Sequence, residues 1–184
     1  MHQRARERGH GPPDDTVVIR ALRDLQIERG GVPVELPASK KTRALLGYLV
    51  ATGIRHSRQH LCDLLWEGPD DPRAGLRWSL TKLRPLVDAP NAKRLVADRE
   101  TVGFRSAGAF TDLARLAELR VTGAKAGFDV LAEAASLLDG EFLGGLDLPR
   151  CYRFHTWLMP SDNVTASSGV KYSNLCSRFW STVR

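Results

Sequence analysis

The chain has 184 residues, 42% hydrophobic and 26% charged, with a formal net charge of +6 and a pI near 9.6. This is too apolar for a wholly disordered chain and describes one domain or two small ones, with a basic excess that favours a polyanionic partner such as nucleic acid. No apolar run approaches the ~18 residues of a membrane span, and Cys62, Cys151 and Cys176 are too few and too scattered for a disulfide framework or a cysteine zinc site.

Residues 1–15 are polar, with Gly9, Gly11, Pro12 and Pro13, and are expected to be disordered. Their arginines precede no apolar stretch, so they are not a secretory signal, and a cytoplasmic location without membrane contact is expected. From Val17 the sequence alternates with a period of two: Val17, Ile19 and Ala21, then Leu25 and Ile27, then Val32, Val34 and Leu36. Gly30-Gly31 is a hairpin signal and Pro33 suggests an edge strand, so a small antiparallel meander is predicted.

The period then changes to 3.6. Ser39 is placed to cap a helix carrying Leu45, Leu46, Leu49 and Val50 on one stripe, with Gly53 as its stop. Ser57 is placed to cap a second helix, with Leu61, Leu64 and Leu65 inward. Asp71 followed by Pro72 opens a third, with Leu76, Leu80, Leu83 and Val87 on one side and Pro85 framing or kinking its end. The run RLVADRETVGFR reads as a hairpin turning at Arg99-Glu100. Residues 16–106 thus spell β-β-β-α-α-α-β-β, a winged helix-turn-helix. Residues 107–160 hold two amphipathic helices, an irregular linker and the start of another helix around Tyr152 and Trp157. That segment reads as the opening of a helical-repeat, TPR-like array, which must continue or lean on the winged helix to bury its faces. The fold class expected is α+β followed by an α-helical segment, mostly α overall.

Charge is unevenly spread, with net +6 over residues 1–110, −2 over 111–160 and +2 over 161–184. A nucleic-acid site is therefore sought in the first part. The last 24 residues hold six serines against five in the first 160 and show no periodicity. They read as a disordered tail, or as the atypical end of a truncated or frameshifted longer protein.

On a helical wheel the leucines of the third helix cluster together. Ala74, Trp78, Thr81, Lys82 and Pro85 lie opposite, with Arg77 and Arg84 flanking and Arg73 near the start. A basic, hydrogen-bonding outer face suits the major groove, where Arg and Lys read guanine edges. An outer face of a soluble helix is commonly just charged and solvated, but an exposed Trp is unusual on such a surface. Arg99 at the hairpin tip is placed to enter a minor groove, and Lys40, Lys41 and Arg43 to meet phosphates at a helix start.

The run HSRQHLCDLLWEGPDDPRAGLRWSLTKLRPLVD, followed by RLVADRETVGF, resembles the OmpR/PhoB-type winged helix of the SARP-like bacterial transcriptional activators. Further on, LLDGEFLGGLDLPRCYRFHTWL resembles the opening of the bacterial transcriptional activator domain of that family. The likeness spans about residues 16–159 and ends where Pro160 begins the serine-rich tail. It implies binding of double-stranded DNA by the third helix and the wing, and recruitment of RNA polymerase through the loop at residues 67–71, with Glu67, Asp70 and Asp71. The DNA-binding set is then Arg73, Arg77, Trp78, Ser79, Thr81, Lys82, Arg84, Arg99, Lys40 and Lys41, and binding as a homodimer or in tandem is expected.

His56 and His60 have a spacing that can hold a metal on a helix face, but His56 precedes the cap and Cys62 points elsewhere, so no metal is expected. No phosphate-binding loop, GxSxG or HExxH motif occurs, so neither a cofactor nor an enzyme is expected. Two rival readings remain: a protein-interaction fragment that no longer binds DNA, and the regulatory front end of a larger ATPase or cyclase.

Overall fold

The computed structural model describes residues 16–67, 71–106, 108–123 and 128–159. The expectations for residues 1–15 and 161–184 lie outside the described residues. In chain order the elements are β1 (Val17–Arg20), β2 (Gln26–Arg29), β3 (Val32–Pro33), α1 (Lys40–Thr52), β4 (His56–Ser57), α2 (Arg58–Leu65) and α3 (Pro72–Val87). They continue with β5 (Leu95–Ala97), β6 (Thr101–Phe104), β7 (Ala109–Thr111), α4 (Asp112–Gly123), α5 (Phe128–Leu138) and α6 (Tyr152–Leu158). The arrangement is α+β, with a winged-helix-like order of strands and helices.

The expected meander forms, with Ile19 opposite Ile27 and Glu28 opposite Pro33. A third strand of only two residues lies at the edge, where the missing N–H of Pro33 removes a ladder bond without leaving a buried gap. The sheet then gains a member the alternation did not announce. β7 pairs in parallel with β1, Val17 facing Ala109, giving the order β3-β2-β1-β7. A second sheet, β4-β6-β5, joins the hairpin to the two residues that lead into α2.

The helices begin where their caps place them. Ser39 accepts from the Thr42 N–H, Ser57 from the His60 N–H, and Asp71 from the Arg73 and Ala74 N–H groups. Gly53 ends α1 in the left-handed region at φ 63° and donates to the Leu49 carbonyl. The leucine stripes meet: Leu45, Leu46, Leu49, Leu61, Leu65, Leu76 and Leu83 are all fully buried. α3 runs through Pro85 and stops at Val87, so the proline frames its last turn.

The C-terminal segment leans on this body. The Leu143 N–H donates to the Ala21 carbonyl at 2.9 Å, and the Cys151 thiol donates to the Leu65 carbonyl at 3.2 Å. Leu143 is fully buried against Gly47 of α1, where an added Cβ would come within 2.6 Å of a Leu143 methyl. A side chain at position 47 would force Leu143 to shift. Phe154 of α6 is fully buried, and Trp157 meets Tyr48 edge-on, ring centroids 4.7 Å apart. Asp112, at the start of α4, accepts from the Ala21 and Leu22 N–H groups at 2.8 Å each. Burial nevertheless pushes its carboxyl upward. α5 is tied to α4 by a fork in which Arg115 donates to both oxygens of Glu133, at 2.8 and 2.9 Å. No helix among the described residues is long and apolar enough to cross a membrane.

Candidate nucleic-acid interface

α3 is fixed along its length. At its start Asp71 satisfies two free N–H groups, and Pro72 needs none at the first helical position. At its middle Ser79 and Thr42 of α1 share a hydrogen bond of 2.8 Å, both buried. At its end Arg29 of β2 donates to the carbonyls of Pro85 and Asp88, each at 2.9 Å. Arg94 donates to the Val87 carbonyl at 2.8 Å, and the Asp88 carboxylate accepts from the Arg94 and Leu95 N–H groups. The terminal carbonyls of a helix carry partial negative charge, so guanidinium groups suit them. The helix is thereby held to the first sheet, to α1 and to the hairpin.

Its free side carries Arg73, Arg77, Trp78, Thr81, Lys82 and Arg84, all exposed. Trp78 keeps half its surface in solvent, and the Lys82 ammonium lies 5.6 Å from the centre of its ring. This is a cation–π distance, and it places the cation on an amphipathic platform. The Thr81 hydroxyl donates back to the Arg77 carbonyl, leaving its oxygen lone pairs and methyl outward. Arg77 pairs loosely with Asp71 at 3.7 Å, both exposed, an interaction that a competing phosphate can replace. Ser79 corrects the expected set. It is 1% exposed and bonded to Thr42, so it joins α3 to α1 and faces away from solvent.

Arg99 stands exposed in the turn between β5 and β6. Lys40 is exposed at the start of α1 and Lys41 half-buried, within electrostatic reach of Cys151. Arg43 turns another way. It lines an open hollow of about 240 Å³ with Asp24, Leu25, Gly144, Gly145 and Leu146, and among the described residues its Nε is buried without a partner. Of the acidic trio, Glu67 is exposed, Asp71 is occupied as the α3 cap, and Asp70 lies outside the described residues.

His56 and His60 stack with ring centroids 5.4 Å apart, but each serves a local bond. His60 shares a hydrogen bond with the Tyr48 hydroxyl, and His56 Nε2 lies 2.8 Å from Thr52 Oγ1. Thr52 gives its one hydroxyl proton to the Tyr48 carbonyl, so His56 is the donor to Thr52. Burial, and then His60, hold the His56 imidazolium pKa below its ordinary value. Among the described residues no three metal-ligating side chains converge.

Sequence reading missed the residues that hold the interface together: Arg29, Thr42, Arg55, Asp88, Arg94 and Asp98. One signal was present. Asp98 and Thr101 bracket the hairpin turn, and Asp at a turn's first position bonds the backbone two and three residues on.

The fold is shared with Mycobacterium tuberculosis EmbR. The solved structure of EmbR in complex with a low affinity phosphopeptide matches with a TM-score of 0.64 and 22% sequence identity. The match covers 77% of this chain, which spans 40% of the EmbR chain. At that identity the likeness concerns the fold. No protein-family profile and no curated protein matches the chain.

Proposed function

We propose that the chain is a sequence-specific, DNA-binding transcriptional regulator of the activator type. In this reading α3 lies in the major groove and the β5–β6 turn enters the adjacent minor groove. The observation that carries it is one helix with two unlike sides. The inner side is buried leucine and the ends are anchored, while Arg73, Arg77, Trp78, Thr81, Lys82 and Arg84 are exposed to solvent. A rigid helix presenting cations, a hydroxyl and an aromatic ring is the chemistry that reads base edges and phosphates. EmbR, similar in fold, is a SARP-family transcriptional regulator. In the same reading, Glu67, Asp70 and Asp71 meet RNA polymerase. Residues 107–160 act as a helical-repeat, TPR-like segment, and pairs of molecules bind in tandem or as dimers.

Binding to fluorescent duplex DNA across a salt series tests it. With about four to six phosphate contacts from Arg73, Arg77, Lys82, Arg84, Arg99 and Lys40, log affinity falls against log salt with a slope of about −4 to −5. A flat response removes the DNA-binding reading and leaves a protein-interaction module.

A further inference from the structure

The turn that carries Arg99 is an acidic place for a DNA contact: Asp98 and Glu100 flank the one arginine. A carboxylate beside phosphates ordinarily weakens binding. Yet Asp98 is well partnered. Its Oδ1 accepts from the Glu100 N–H at 2.8 Å and the Thr101 N–H at 2.7 Å, which closes the turn on itself. Its Oδ2 pairs with the Arg55 guanidinium. Arg55 also donates through Nε to the Thr101 hydroxyl at 2.9 Å. Arg58, in the first turn of α2, completes the tie: its Nε donates to the Asp98 carbonyl and its N–H to the Glu100 carbonyl, both at 2.8 Å.

The strand behind the turn is pressed onto the same corner. Gly103 of β6 leaves room for the Arg55 backbone, and an added Cβ there would lie 3.0 Å from Arg55 Cγ and 3.3 Å from its Cα. The contacts that leave the turn run to residues 55–58, where the chain passes from α1 into α2. Among the described residues none runs through the Arg99 side chain, which stands exposed.

We infer that Asp98 is the positioning residue of the wing: with Arg55 and Arg58 it locks the turn to the α1–α2 corner and so presents Arg99 at a fixed place relative to α3. This rests on the DNA-binding reading above. It reverses the ordinary sign of a charge change, because removing the acid lowers affinity for a polyanion. The backbone N–H groups of Thr101 and Glu100 hold the Asp98 carboxyl below the usual carboxylate range, in keeping with an acid that serves as a permanent acceptor.

The test is a double-mutant cycle of Asp98→Ala and Arg99→Ala in the full chain, read by affinity for duplex DNA, the salt slope and amide hydrogen exchange. Asp98→Ala is expected to weaken binding about tenfold and to reduce the salt slope by about one, as Arg99→Ala does. In the Arg99→Ala background it costs nothing further. Asp98→Asn, which keeps an oxygen for the turn but loses the ion pair, falls between. Exchange at Glu100, Thr101 and the Arg58 N–H rises in Asp98→Ala with or without DNA, while the melting temperature stays near that of the parent. Unchanged or tighter binding by Asp98→Ala overturns the inference, as does an equal loss in both backgrounds or unaltered exchange in the turn. A parent chain that ignores duplex DNA removes both the DNA-binding reading and the role of Asp98 in it.

Discussion

At the scale of single residues, Ser79 and Lys82 lie three positions apart on one helix, yet Ser79 is buried and Lys82 is exposed. Ser79 is three residues from Leu76 and four from Leu83, so the helix repeat itself puts it on the buried stripe. Its polarity suggests the other side, but Thr42 answers that polarity with a buried hydroxyl of its own. Two small side chains bonded to each other bury as cheaply as apolar ones, which is why charge and polarity alone misplace Ser79. Ser79→Ala is therefore expected to cost about 1–2 kcal/mol of stability, since it leaves Thr42 without its partner. It should leave the ratio of specific to random duplex affinity unchanged. Lys82→Ala should do the reverse. The melting temperature holds, and affinity for the preferred site falls by about 1–3 kcal/mol, with a smaller loss on random duplex. Equal losses on both duplexes make Lys82 a phosphate contact. Unfolding by Lys82→Ala would mean that the outer side of α3 is covered.

At the scale of elements, the pieces that a local pattern announces were legible, and those made only by distant pairing were not. Ser39, Ser57 and Asp71 all cap as their positions suggest, because a cap is a local bond between residues two or three apart. The leucine stripes of α1, α2 and α3 were equally plain, since burial repeats with the helix. β4 and β7 are two and three residues long, too short for an alternation, and their partners lie more than 40 residues away. The bonds at the end of α3 are hidden for the same reason, Arg29 being 56 positions from Pro85. β4 also carries a pH response. The folded protein holds the pKa of His56 below the ordinary 6.5, so the unfolded chain takes up a proton before the folded one does. Stability is full above that value and declines as pH falls through 6.5 toward the folded pKa. His56→Gln retains a donor for Thr52 and does not titrate. Urea unfolding from pH 7.5 to 5 should show a shallower loss for this variant. An unchanged slope would place the acid sensitivity elsewhere.

At the scale of the whole molecule, the winged-helix part and the segment after residue 106 share one sheet and one core. β7 completes the first sheet beside β1, Asp112 satisfies two N–H groups at the end of β1, and Leu143, Cys151 and Phe154 pack among the residues of α1 and α2. The α1 surface that binds Leu143 belongs to the same helix whose Thr42 holds Ser79, so the C-terminal segment supports the helix behind the proposed reading face. This geometry predicts that unfolding is a single event. Leu143→Ala removes a fully buried side chain whose neighbour, Gly47, has no side chain with which to fill the space. A loss of about 2–5 kcal/mol is expected. Because both parts unfold together, far-ultraviolet circular dichroism and tryptophan fluorescence should give the same lowered midpoint for that variant. A chain ended after residue 106 should melt well below the full chain and bind a hydrophobic dye through its uncovered α1 and α2 surface. If instead the shortened chain keeps the parent's midpoint, or Leu143→Ala splits the transition into two, the segment is an appendage and the winged-helix part stands without it.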